Sequence, residues 1–175
     1  STCGITSMRE VRCWGNNFAG QLGDGTFVDK PTPVPVIGLN VETAALSLGK
    51  DHACALGQDG VVRCWGQNTF FQLGYGNGLS EPIPHEVMAL PPGIQDIVLG
   101  AEHSCAVSSS RGLLCWGRNE NGQLGNGHTS NAEGPSDVIG LTEPVTSVSG
   151  GDLHTCVSLS DGSVRCWGDN YDTQL

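Results

Sequence analysis

The chain has 175 residues, enough for one ordinary core, but its 26 glycines and 9 prolines interrupt it too often for long helices. Eight Lys and Arg against 18 Asp and Glu leave a formal charge of −10, which repels phosphate backbones and argues against a nucleic-acid partner. No apolar run approaches the roughly 20 residues of a membrane-spanning helix, and Pro33, Pro35, Pro82, Pro84, Pro91 and Pro92 break the apolar segments; no membrane insertion is expected.

In chain order, one motif returns four times: Val11-Arg12-Cys13-Trp14-Gly15-Asn16-Asn17, Val62-Arg63-Cys64-Trp65-Gly66-Gln67-Asn68, Leu114-Cys115-Trp116-Gly117-Arg118-Asn119 and Val164-Arg165-Cys166-Trp167-Gly168-Asp169-Asn170. Cys3, Cys54, Cys105 and Cys156 stand 51 residues apart, as do Cys13, Cys64, Cys115 and Cys166, and all four tryptophans lie inside the motif. Between motifs, Pro33, Pro84 and Pro135 align, then Val36, Val87 and Val138, then Leu39, Leu90 and Leu141, then Gly49, Gly100 and Gly151. The connectors are therefore expected to be structured.

Within one period, Ile97-Val98-Leu99, Ser104-Cys105-Ala106-Val107 and Leu113-Leu114-Cys115-Trp116 read as short strands. Gln21-Leu22-Gly23, Gln72-Leu73-Gly74 and Gln123-Leu124-Gly125 supply turns. A period of about 40–50 residues with four short strands describes a propeller blade, and a parallel β-helix is the alternative repeat architecture. The predicted fold is all-β, one repeat array over 1–175: a partial repeat 1–49, repeats 50–100 and 101–151, and a partial repeat 152–175. That is about 3.5 to 4 blades; a seven-bladed ring needs roughly twice this length, so the chain is expected to be part of a longer one, its start at Ser1 processed or truncated and any export signal upstream.

His52-Ala53-Cys54-Ala55-Leu56, Asp59-Gly60, Val62, Trp65-Gly66-Gln67-Asn68 and Gln72-Leu73-Gly74 resemble the regulator of chromosome condensation repeat family. The resemblance covers the whole chain and implies a seven-bladed β-propeller. It leaves function open, because the family includes a nucleotide exchange factor for a small GTPase, a secreted β-lactamase inhibitor and many surface proteins.

Cys54 and Cys64 lie symmetrically about Asp59, so a hairpin turning at Gln58-Asp59-Gly60 sets them opposite each other, in reach of a disulfide. The same spacing pairs Cys3 with Cys13, Cys105 with Cys115 and Cys156 with Cys166. Gly162 repeats the turn glycine, whereas Arg9 and Arg111 replace it and leave the turn type there open. Zinc is the competing reading, since His52, His103 and His154 each stand two residues before a cysteine, but Ser1 takes that position in the first repeat. Four regular pairs favour an extracellular, cell-surface or periplasmic location.

The repeated histidines read as hydrogen-bonded to loop backbone and the tryptophans as blade packing. No catalytic motif, cofactor loop or calcium loop stands out, and neither enzymatic activity nor a cofactor is expected. Function is sought where repeats differ: Phe71 replaces the glycine found at Gly20 and Gly122, and Phe70, Phe71 and Tyr75 form the candidate partner contact. The expected role is an extracellular module binding a protein or surface glycan in adhesion or surface assembly, with self-assembly or the rest of the same propeller as further partners. A secreted enzyme inhibitor is the alternative, and nucleotide exchange fits the expected oxidising location worst.

Overall fold

The computed structural model describes residues 1–110 and 112–175. Among them are fourteen strands in four antiparallel sheets, with no helix long and apolar enough to cross a membrane. The first sheet joins β1 (Thr2–Ile5), β2 (Val11–Gly15) and β3 (Lys30–Pro35). The second runs β4 (Thr43–Leu48), β5 (His52–Gly57), β6 (Val62–Gly66), β7 (Glu81–Glu86), and the third β8 (Ile94–Leu99), β9 (His103–Ser108), β10 (Leu113–Gly117), β11 (Ala132–Asp137). The fourth holds β12 (Val145–Gly150), β13 (His154–Leu159) and β14 (Val164–Gly168). These are propeller blades, two complete and two of three strands.

The second, third and fourth sheets each begin with a strand from the end of the preceding sequence repeat, so β4, β8 and β12 precede the repeat boundaries at 50, 101 and 152. A strict period has no phase of its own; the hairpin motif set the boundaries in sequence, whereas hydrogen bonding sets them in space. The fourth strand is the least legible, because Glu81-Pro82-Ile83-Pro84-His85-Glu86 carries two prolines and lies at an edge, the place where prolines are tolerated. Pairing there slips by a bulge between Cys64 and Gly66.

The hairpin carries the disulfides. Gly57 N–H donates to Val61 O at 3.0 Å and Gly60 N–H to Gly57 O at 3.0 Å, which closes a three-residue loop with Gly60 left-handed at φ +78°. Counting two residues at a time from the bonded Gly57–Val61 pair, Cys54 and Cys64 fall on a non-hydrogen-bonded site, where antiparallel strands approach closest. All four cysteine pairs bond there, with Cα atoms 4.1 Å apart. The first repeat keeps the same turn: Thr6 N–H donates to Glu10 O and Arg9 N–H to Thr6 O, and Arg9 takes the left-handed conformation at φ +61°. Arg111 lies outside the described residues.

Three hydrophobic clusters lie between consecutive blades. The disulfide, one leucine and one valine of a blade pack on the next blade's tryptophan and inner strands. Cys13, Leu22 and Val36 meet Ala53, Ala55 and Trp65; Cys54, Cys64, Leu73 and Val87 meet Ile97, Leu99, Ala106 and Trp116; Cys105, Cys115 and Leu124 meet Val145, Val157 and Trp167. The period-2 alternation of each strand thus feeds two interfaces, one on each face of the sheet.

Arg9→Gly is expected to raise stability by about 1 kcal/mol by removing the left-handed strain. Gly60→Ala, whose new methyl meets nothing within 4 Å, is expected to lower it by a similar amount. Thermal unfolding of both variants measures the pair, and equal melting temperatures would contradict the turn assignment.

Candidate binding surface

After β2, β6, β10 and β14 the chain makes the same tight turn, built by a buried asparagine and glutamine. Asn68 Oδ1 accepts the Leu73 N–H at 3.0 Å, Gln72 Oε1 accepts the Phe70 N–H at 2.9 Å, and Phe71 N–H donates to Asn68 O at 2.9 Å. Asn17 with Gln21, Asn119 with Gln123 and Asn170 with Gln174 repeat the arrangement. Asn17, Gln21, Asn68, Gln72, Asn119 and Gln123 are fully buried, so these side chains are scaffold.

The turn also ties blades together. Trp65 Nε1–H donates to Gln21 O at 3.0 Å, Trp116 Nε1–H to Gln72 O at 3.0 Å and Trp167 Nε1–H to Gln123 O at 2.9 Å. Ser104 and Thr155 hydroxyls donate to the same Gln72 and Gln123 carbonyls at 2.8 and 2.9 Å. His52 Nε2 lies 3.0 Å from Ser104 Oγ, and His103 Nε2 lies 2.9 Å from Thr155 Oγ1. The histidine partner is therefore a hydroxyl of the following blade rather than loop backbone, a long-range pairing that local sequence does not display. Burial, and then the charge of His103, lower the His52 pKa to about 3; burial and His154 lower that of His103 to about 4.

The sequence-derived contact residues are held in one loop but face different neighbours. Phe70 lies under the Arg118 guanidinium of the next blade, 4.8 Å from ring to carbon, and Glu102 and Glu120 hold Arg118 in place. Phe71 occupies the left-handed slot at φ +65°, where Gly20 has φ +79°, and its ring lies beside Gly78. Tyr75 turns inward against the second-to-third-blade cluster, its ring 5.2 Å from that of His85. Its hydroxyl is buried without a partner, and burial, with the Glu81 carboxylate, raises its pKa above the ordinary range. All three residues are partly buried.

The residue that the turn projects outward is the one after the scaffold asparagine: Phe18, Thr69, Glu120 and Tyr171. Phe18 is 59% and Tyr171 90% exposed. Sequence reasoning passed over them, although aligning that single position across repeats shows two aromatics on a constant frame. The next residue also varies, and it decides what crosses each blade junction on this face: Phe70 meets Arg118, whereas Asn121 donates its amide to Asp169 at 3.2 Å.

Family models for the regulator of chromosome condensation repeat match residues 10–56, 59–107 and 112–158, and a second model of the same repeat matches 44–72, 94–123 and 145–174. The chain belongs to this repeat family. Among relatives, the ultraviolet-B receptor UVR8 of Arabidopsis thaliana is 30% identical over 98% of this chain, which spans 40% of that receptor. Yeast Prp20, solved bound to Kap60, superposes with a TM-score of 0.79 at 24% identity, over 95% of this chain and 39% of Prp20. The ectodomain of the Physcomitrella patens receptor kinase CR4 gives 0.59 at 27% identity, over 95% and 38%. The family assignment and the propeller sheets agree with the expectation from the repeat.

The buried histidines predict an acid response. Their folded pKa values lie below the ordinary 6.5, so the unfolded chain binds the protons first. Their contribution is complete above pH 6.5 and falls as the pH drops toward 4, by about 2 kcal/mol per histidine at pH 5. Melting temperature against pH measures it; His52→Gln with His103→Gln is expected to flatten the profile between pH 7 and 5, and an unchanged slope would contradict the assignment.

Proposed function

We propose that this repeat array is an extracellular protein-binding module whose recognition surface is the face carrying the asparagine turns. One observation carries the reading: the turn backbone and its Asn/Gln scaffold are constant, while the side chain projected from it changes from Phe18 to Thr69, Glu120 and Tyr171. A rigid frame with variable exposed side chains, two of them aromatic, is what a specific interface needs. The formal charge of −10 favours a basic partner surface.

Four disulfides support an oxidising compartment, and the likeness to the CR4 receptor ectodomain supports an extracellular setting. Prp20 seen with Kap60 supports protein as the class of ligand for this fold. The proposal assigns the chain no catalytic step.

The secreted chain, used as bait on extracellular fractions, is to be followed by calorimetry with the purified partner. Phe18→Ala and Tyr171→Ala are each expected to weaken that binding about tenfold, a loss of about 1.4 kcal/mol, with melting temperature unchanged because both rings face solvent. Unchanged affinity in both would overturn the assigned face, and eight titratable thiols in the protein isolated from its native source would overturn the location.

A further inference from the structure

A backbone nitrogen attacks the side-chain amide of the asparagine before it most readily when it belongs to glycine, which places no Cβ beside it. The chain carries three such dipeptides: Asn77-Gly78, Asn121-Gly122 and Asn126-Gly127. The fold restrains two of them. Gly122 N–H is committed to Asn119 O at 2.8 Å, and the Asn121 amide donates to Asp169 at 3.2 Å. Asn126 has both amide atoms engaged: Oδ1 accepts from Asn119 Nδ2 at 3.1 Å and from His128 N–H at 3.2 Å, and Nδ2 donates to Ser136 Oγ at 3.3 Å.

Asn77 differs at each point. It is exposed in the loop between β6 and β7, and Gly78 after it is left-handed at φ +66°. Neither Gly78 N–H nor Asn77 Nδ2 has a hydrogen-bond partner among the described residues. Asn77 Oδ1, by contrast, accepts from Leu79 N–H at 3.0 Å and from Asn68 Nδ2 at 3.3 Å. Two donors on this oxygen draw electrons from Cγ and stabilise the negative charge that develops when a nucleophile adds there. The attacking nitrogen is free, the carbonyl is polarised and the leaving amide is unheld.

From this arrangement we infer that Asn77 is a site of spontaneous deamidation in the folded protein. Hydroxide takes the Gly78 amide proton, the nitrogen adds to Asn77 Cγ, and the Cγ–Nδ2 bond breaks; Nδ2 takes a proton from water and leaves as ammonia, closing a cyclic imide. Water then opens the ring. Breaking the new Cγ–N bond gives aspartate, whereas breaking the original peptide C–N bond gives isoaspartate, with the chain running through Cγ. Either product adds one negative charge. Aspartate keeps the backbone and offers the scaffold Asn68 a carboxylate, as Asp24 does for Asn17 at 3.2 Å. Isoaspartate lengthens the backbone beside Phe71, whose ring lies 3.5 Å from where a Cβ on Gly78 would stand, and so disturbs the seat of that ring.

Ageing the purified chain in mildly alkaline buffer tests it. A more acidic form is expected on ion exchange, growing in proportion to hydroxide, with peptide mass mapping and isoaspartate labelling both placing the change at Asn77. While folded, Asn77 is expected to react at least about tenfold faster than Asn121 or Asn126, and in denaturant at a rate similar to theirs; the contrast separates selection by the fold from the reactivity of the dipeptide. Asn77→Thr, which supplies the residue that the first blade carries as Thr26, is expected to abolish the first acidic form, and Gly78→Ala to slow it about tenfold. An Asn77 that stays intact in the folded chain yet deamidates in denaturant, or an Asn121 or Asn126 that keeps pace with it in the folded chain, would overturn the proposal.

Discussion

The fold hangs on one backbone carbonyl per blade junction. Gln21 O, Gln72 O and Gln123 O each accept the indole N–H of the next blade's tryptophan, and the latter two also accept a hydroxyl. An indole sealed between sheets must find an acceptor or lose the benefit of its burial. The glutamine carbonyl is free to serve, because the turn's own bonds run to the asparagine and glutamine side chains and to other carbonyls, those of Asn68 and Phe71 in the second blade. The turn therefore fixes the distance between blades as well as the path of the chain. This is why Trp, Asn and Gln-Leu travel together in every repeat, although each turn accepts the tryptophan of the following blade, 44 residues further on.

Much of this was legible from the sequence. The 51-residue register and the hairpin symmetry about Asp59 led to the sheets and the cysteine pairs because both are local features. The histidine partners were not legible, since Ser104 and Thr155 lie 52 residues from them and belong to other blades. The outer strand was hidden because two prolines make Glu81–Glu86 read as a connector. The candidate site was legible as a loop region but not in the direction of its side chains. Searching for departures from the repeat was sound, but aromaticity alone selected Phe70 and Tyr75, which have partners inside the molecule, Arg118 and the blade core. Direction, which only the turn geometry supplies, leaves Phe18 and Tyr171 as the exposed aromatics of the turns.

Structure and function divide along the same line. Residues bonded across junctions are constant or change in matched pairs, as Ser1 in place of the histidine and Ala53 in place of its hydroxyl partner show. Residues projected from the turns vary freely, since the Asn/Gln scaffold holds the backbone whatever side chain it displays. The disulfide within each hairpin and the neutral indole and hydroxyl bonds to the glutamine carbonyls do not depend on salt, and the weakness of the frame lies at acid pH, where the sealed imidazoles His52 and His103 resist protonation.

The central claim is that the indole-to-glutamine bond joins each blade to the next. Hydrogen exchange of the indole N–H protons, followed by NMR in dilute solution, tests it most directly. Trp65 and Trp116 are predicted to exchange only as slowly as the whole molecule unfolds, Trp167 somewhat faster in its incomplete blade, and Trp14 fastest, at nearly the rate of a free indole. Rapid exchange at Trp65 and Trp116 while the backbone amides of β5 and β9 stay protected would show that the sheets hold without this bond, and would contradict the account.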